Sequence, residues 1–231
     1  MIRRLIAAID TPDLSRAQSL IRAVAAHCGL VKLGLEFFLH HGPEGYRAVL
    51  EGNGADVFLD LKLYDIPNTV AGAVRSLLPL APTLLTIHAS GGAKMIEAAA
   101  QAAALAGEAR PKILAVTVLT SFDAAGLAET GVAGGTAQQV LRLARLALAA
   151  GADGLVCSPH EISILRDAFG AGPLLVVPGI RPVGAALGDQ SRVMTPAQAV
   201  AAGADYIVVG RPITGAPDPG GMAAEIAASI L

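Results

Sequence analysis

Four ionisable residues of this chain have the types and spacing to do chemistry together: Lys32, Asp60, Lys62 and Asp65. Asp60 and Lys62 stand two residues apart in the run Phe58-Leu59-Asp60-Leu61-Lys62. Side chains of an extended strand alternate between its faces, so the carboxylate and the ammonium share one face while Leu59, Leu61 and Leu63 take the other. If the leucine face packs under helices, the charged face turns inward, and Lys32, in the preceding apolar run, can reach the same cavity. Asp10 closes the run before that. Buried charges of alternating sign can stabilise an anion that develops during a reaction, and an ammonium can hand it a proton. A single Asp-Lys pair is better explained as a structural ion pair. Several together are harder to explain that way, because each buried ion costs several kcal/mol before pairing offsets it. A second constellation, Gly210-Arg211, directly follows the last apolar run, where a glycine lets backbone N–H groups approach an anion and an arginine offers a two-pronged donor.

These residues must be positioned by the elements around them. Short apolar runs recur along the chain: Leu5 to Ile9, Leu30 to Leu33, Val57 to Leu61, Leu84 to Ile87, Ile113 to Leu119, Gly154 to Cys157, Leu174 to Val177 and Tyr206 to Val209. Longer Ala/Leu-rich segments separate them. About eight such runs alternating with helical segments predict an α/β fold, a (β/α)8 TIM barrel forming a single domain over residues 1–231. Thr11-Pro12, Ser158-Pro159 and Thr195-Pro196 read as helix starts, with Glu161 and Gln198 completing capping boxes. Gly54-Ala55-Asp56, Gly151-Ala152-Asp153 and Gly203-Ala204-Asp205 read as helix stops before the next strand, where glycine supplies the left-handed conformation. The stretch from Gly179 to Met194 is rich in glycine and charge and predicts a long loop on the catalytic face.

Composition narrows the function classes. The chain is 53% hydrophobic, yet no uninterrupted apolar run is long enough for a membrane helix, so the excess belongs in a core. A net charge of −2 without a basic cluster argues against nucleic acid as a partner. Asp10 cuts the first apolar stretch short of a signal-peptide core, and a cytoplasmic protein is expected. Cys28 and Cys157 read as small buried hydrophobes.

The segment Asp60-Leu61-Lys62-Leu63-Tyr64-Asp65-Ile66-Pro67-Asn68-Thr69-Val70 resembles the signature of the orotidine 5′-phosphate decarboxylases. Similarity continues in order through Val31-Lys32-Leu33-Gly34, Ile87-His88-Ala89-Ser90-Gly91-Gly92, Val118-Leu119-Thr120-Ser121, Val177-Pro178-Gly179-Ile180-Arg181-Pro182 and Val208-Val209-Gly210-Arg211-Pro212-Ile213-Thr214. Asp-x-Lys-x-x-Asp alone is shared by related sugar-phosphate barrels; the added Ile-Pro-Asn-Thr and Lys32 make the combination specific. Tyr64 and Leu63 depart from the His and Phe that many members carry, and touch no charged role.

The resemblance implies conversion of orotidine 5′-monophosphate to UMP without a metal or other cofactor. It implies a homodimer in which Asp65 and Thr69 of one subunit complete the site of the other. Lys62 would stabilise and protonate the C6 carbanion, Asp60 would crowd the departing carboxylate and hold the lysines, and Lys32 and Asp10 would fix the ribose hydroxyls. By the same resemblance Ile66, Thr120, Pro178, Arg181, Gln190, Gly210 and Arg211 are substrate-binding, with Gln190, the Pro178-Gly179 backbone and Arg211 at the phosphate and Arg192 as a further neighbour. For Thr120-Ser121 a helix cap explains the residues as well as a pyrimidine contact does.

Two other readings of the motif stay open. A metal-dependent relative would share Asp-x-Lys-x-x-Asp but resembles this chain with an acidic ligand in place of Lys32, whose ammonium would repel the cation. A non-catalytic phosphate-binding barrel would keep Gly210-Arg211 and have no need of the charge array. His88 is expected to satisfy local hydrogen bonds. Glu161, beside His160, is accounted for by its capping box, and His40 and His41, lacking a third ligand at metal spacing, are expected on a surface turn.

Overall fold

The structure, a computed structural model, describes residues 4–182 and 194–230. Its eight strands are β1 (Leu5–Ala8), β2 (Leu30–Gly34), β3 (Val57–Leu63), β4 (Leu84–His88), β5 (Lys112–Val116), β6 (Gly154–Val156), β7 (Leu174–Val177) and β8 (Tyr206–Val209). They pair in parallel and in sequence order, and β8 closes on β1, which gives the expected (β/α)8 barrel. The helices are α1 (Leu14–Val24), α2 (Leu35–Leu50), α3 (Pro67–Leu77), α4 (Ala93–Ala104), α5 (Ala124–Glu129), α6 (Thr136–Ala149), α7 (Ile162–Phe169), α8 (Pro196–Ala201), α9 (Arg211–Thr214) and α10 (Pro219–Ala228).

Strand alternation divides the core in two. Ile6, Ala8, Leu30, Phe58, Leu84, Leu114, Val176 and Val208 pack together inside the barrel. Their neighbours in sequence, Leu5, Ala7, Val31, Leu59, Leu85, Ile113, Leu175 and Ile207, face outward into a larger cluster shared with the helices. Two apolar faces are why each strand reads as a continuous hydrophobic run. At Gly154 a Cβ would collide with the carbonyl and Cβ of Leu174, so only glycine lets β6 lie this close to β7.

Two helix stops are as expected: Gly151 and Gly203, directly after the C-caps of α6 and α8, have φ of 93° and 112°. Gly54 also has a positive φ, 58°, but α2 already ends at Leu50, so this glycine turns the connection to β3 and is not the helix stop. Both capping boxes form, with Glu161 accepting from Ser158 N–H at 2.7 Å and Gln198 from Thr195 N–H at 3.1 Å. Thr11-Pro12, in contrast, does not start α1. Asp13 is the N-cap, because its carboxylate accepts the Arg16 N–H at 2.9 Å while Thr11 only accepts from Asp13 N–H. His40 and His41 lie within α2 rather than on a turn, just before a break at Gly42, where φ is 60° ahead of Pro43. The fifth run is shorter as a strand than in sequence, since β5 ends at Val116 and, after a last bond from Thr117 N–H to the Val156 carbonyl, the chain leaves the ladder.

The Gly-Ala-Asp repeats also carry the aspartates that tie the N-terminal ends of the strands. Asp153 accepts two bonds from Arg110, at 2.6 and 2.8 Å, and one from Ile113 N–H at 2.8 Å; Asp205 accepts one from Arg166, at 2.6 Å, and one from Leu175 N–H, at 2.7 Å. Burial pushes the Asp153 carboxyl up, but the bonds from Arg110 and Ile113 and the charges of Arg110 and Lys112 outweigh it and hold it below its ordinary value. A depressed carboxyl stabilises the fold fully above the ordinary value of 3.8 and loses that contribution as pH falls towards the folded value. Asp153→Ala is therefore expected to cost about 2 kcal/mol near neutral pH, a fall in Tm of roughly 4–8 °C, and the gap from the unsubstituted protein should narrow in strongly acidic solution. Thermal denaturation at neutral and acidic pH measures both.

Candidate active site

The ionisable cluster sits at the opposite, C-terminal ends of the strands, where barrels carry their chemistry. Lys32 lies on β2 and Asp60 and Lys62 on β3. Asp60 Oδ2 accepts from Lys62 Nζ at 2.7 Å and lies 3.8 Å from Lys32 Nζ. On its far side Lys32 donates to Asp10 Oδ1 at 2.8 Å. The order is thus acid, base, acid, base across three strand ends. Asp60 is 8% exposed, so the pairings form where water screens them weakly. Burial pushes its carboxyl up, but the ammonium groups of Lys62 and Lys32 and the hydrogen bonds from Lys62 and Thr86 together hold it below the usual carboxylate range. Asp60 is ionised at neutral pH, which keeps both lysines in place.

Asp60 shares the inner face with Phe58, while Leu59 and Leu61 face the helices, as alternation requires. Lys62 departs from simple alternation. Its φ is 49°, and the β3–β4 register shifts between Leu59 and Leu63. The ammonium still reaches Asp60, but from a locally distorted strand end.

A cavity of about 160 Å³ opens against these charges, with room for one heteroaromatic ring. Lys32, Asp60 and Lys62 form its charged end; Phe58, Val116, Val118, Val156 and Val208 form apolar walls, completed by Leu119, Thr120, Cys157 and Pro178. Thr120 therefore faces the cavity, and the helix-cap alternative does not hold, because Asp123 caps α5 by accepting from Gly126 N–H at 2.8 Å. Cys157, 1% exposed, is the small buried residue expected, though it also lines this wall.

Arg181 and Arg211 lie close enough to interact. Arg181 is 8% exposed and donates to its neighbour's Ile180 carbonyl at 2.9 Å; burial first, and the positive charge of Arg211 second, pull its pKa below the ordinary value. The positive potential that Arg211 adds at Arg181 favours an anion nearby. Gly210 caps α9, and a Cβ there would meet Ala8 and Asp10 only at ordinary contact distance. The glycine is therefore not imposed by this chain's own packing. Gln190 and Arg192 lie outside the described residues.

Asp65, Ile66 and Thr69 are not brought to this cavity by their own chain. All three are exposed, and Asp65 Oδ1 accepts only from the adjacent Ile66 N–H. Ile66 and the neighbouring Tyr64 are large side chains 66% and 60% exposed. His88, at the end of β4, stacks at 5.6 Å on Tyr64, and burial and then Lys62 lower its pKa, against the opposing effect of Asp60.

One residue at the site was not singled out from sequence. Thr86 is fully buried on β4, donates to Asp60 Oδ1 at 2.9 Å and accepts the Lys62 N–H at 2.9 Å. The available signal was a lone hydroxyl in the apolar run Leu84-Leu85-Thr86-Ile87, on the face that Leu84 turns inward. Among the described residues no group of three or more His, Cys, Asp or Glu side chains could hold a metal ion, and no helix is long and apolar enough to cross a membrane.

The chain and its fold are similar to those of known proteins. A family model described as the orotidine 5′-phosphate decarboxylase / HUMPS family matches residues 3–226. The chain is 56% identical over 227 residues to an orotidine 5′-phosphate decarboxylase of Anaeromyxobacter sp. (strain K), covering 98% of both. It is 50% identical to that of Thermobifida fusca (strain YX), covering all of this chain and 97% of the relative. The crystal structure of orotidine 5′-phosphate decarboxylase from Lactobacillus acidophilus is similar in fold, with a TM-score of 0.87, 37% identity and 99% of each chain covered.

Proposed function

The chain belongs to the orotidine 5′-phosphate decarboxylase / HUMPS family, and from that membership we propose that it decarboxylates orotidine 5′-monophosphate to UMP, completing de novo UMP synthesis in the cytoplasm. The observation that carries this reading is the shared Asp60 oxygen, 2.7 Å from Lys62 Nζ and 3.8 Å from Lys32 Nζ at the end of a ring-sized cavity. Lys32 separates the decarboxylase from the metal-dependent side of the family, because an ammonium at that position repels a divalent cation.

Breaking the C6–carboxylate bond leaves its electron pair at C6, in the plane of the ring, where no carbonyl can delocalise it. Lys62 is the preorganised cation facing that charge, and its Nζ proton moves to C6 as CO2 departs, leaving UMP; the neutral amine then regains a proton from water. Asp60 fixes Lys62 and disfavours the substrate carboxylate placed against it. Lys32 and Asp10, bonded to each other, hold the ribose hydroxyls, while Thr120 borders the pyrimidine. Arg211, with Arg181 and the backbone of Gly210 and of Pro178-Gly179, holds the phosphate, together with Gln190. Asp65, Ile66 and Thr69 serve across a homodimer interface, where their exposure in the single chain is consumed.

The test is the loss of orotidine monophosphate absorbance with purified protein in EDTA. Turnover is expected to survive the chelator. Activity lost in EDTA and restored by Mg²⁺ would move the chain to the metal-dependent branch, and no conversion by folded protein would leave a phosphate-ligand binding barrel.

A further inference from the structure

We propose that Thr86 is the positioning residue of the charge array, its hydroxyl fixing the Asp60 carboxylate and the Lys62 backbone together so that the Lys62 ammonium is held at one place. The inference rests on reading the array as decarboxylation machinery.

The β3–β4 ladder is regular at Phe58↔Leu84 and Leu59↔Leu85 and resumes at Leu63↔Ile87. Four steps along β3 therefore match two along β4, and the surplus is absorbed where Lys62 takes φ 49°. A residue bearing a side chain rarely adopts that conformation. Distortion of this kind frees backbone donors from the ladder, and the Lys62 N–H finds the Thr86 hydroxyl oxygen instead, at 2.9 Å. The same hydroxyl donates its single proton to Asp60 Oδ1 at 2.9 Å. Lys62 Nζ and Lys32 Nζ meet the other carboxylate oxygen, Oδ2. Thr86 thus sets the rotation of the carboxylate from behind while anchoring the backbone that carries the lysine. Valine has the same shape and would fill the position as well in an otherwise apolar strand. What threonine adds is the hydroxyl, with both its donor and its acceptor capacity in use.

The test compares Thr86→Val with Thr86→Ser in steady-state turnover, UMP binding and thermal denaturation. Thr86→Val is expected to lose about 10- to 100-fold in kcat while KM and UMP affinity change little, because the hydrogen bond orients a reacting group rather than binding the nucleotide. Thr86→Ser, which keeps the hydroxyl, is expected to restore most of the rate. If Thr86→Val does not fold, Thr86→Ala removes the same hydroxyl and is read the same way. Equal losses in kcat and UMP affinity, or a serine variant as impaired as valine, would overturn the proposal.

A carbon-13 carboxyl titration of Asp60, assigned with Asp60→Asn, needs no turnover. Losing the Thr86 donor should move the Asp60 titration to higher pH in the valine variant and leave it in place in serine. Lys32 from β2, Lys62 on β3, His88 from β4 and Asp10 beyond Lys32 are the other charged or titratable groups around it and are the same in all three proteins. If the unsubstituted enzyme does not turn over orotidine monophosphate, the functional reading fails and this titration alone decides; an Asp60 titration identical in all variants would then rule Thr86 out.

Discussion

Lys62→Ala is expected to reduce kcat for orotidine monophosphate by at least about 10⁴-fold, because in the proposed mechanism one side chain supplies both the cation facing the C6 carbanion and the proton that quenches it. UMP affinity should fall far less, since the product carries no developing charge at C6. The fold should survive, because Lys62 is partly exposed at a strand end and its loss removes one of two cations from Asp60. The Asp60 carboxyl, left with Lys32 and Thr86, is expected to titrate higher than in the unsubstituted protein. Single-turnover kinetics on folded variant protein measures the loss; a variant retaining a tenth of the rate would remove Lys62 from the centre of the chemistry.

Mixing inactive Lys62→Ala protein with inactive Asp65→Ala protein is expected to bring activity back. In a mixed dimer, the subunit that keeps Lys62 receives Asp65 from its partner and has a complete site, while the other site lacks both. Random reassortment of an isologous dimer therefore restores roughly a quarter of the rate. The motive is geometric. Asp65 follows Lys62 by three residues, yet it stands exposed and accepts only from the adjacent Ile66 N–H, so in one chain it does not face the array. Tyr64 and Ile66, apolar and exposed on either side of it, are what an interface would cover. The mixture is assayed after subunit exchange, and no recovery despite exchange would place Asp65 outside the shared site.

Much of this was legible locally. The eight apolar runs mark the eight strands because a doubly covered parallel strand must be apolar on both faces. Gly151 and Gly203 were legible as helix stops because their left-handed backbone strongly favours glycine. Where sequence reading failed, a competing contact won. Asp13 capped α1 in place of Thr11 because its carboxylate reaches the Arg16 N–H, and His40 and His41 stayed helical because α2 breaks only at Gly42.

By itself the sequence determined the barrel and the inward face of Asp60, since a two-residue strand period is a property of the backbone alone; Lys62 meets Asp60 from a strand end where that period is broken. Tertiary structure decided the rest. Closing the barrel brings Lys32 to 3.8 Å from the oxygen that Lys62 holds, sets Thr86 behind the carboxylate from 26 residues away, and brings Arg181 within reach of Arg211. It also leaves Asp65 outside its own cavity. No local period encodes these placements, because they depend on the register between strands, and here that register slips at Lys62, the residue proposed to carry the chemistry.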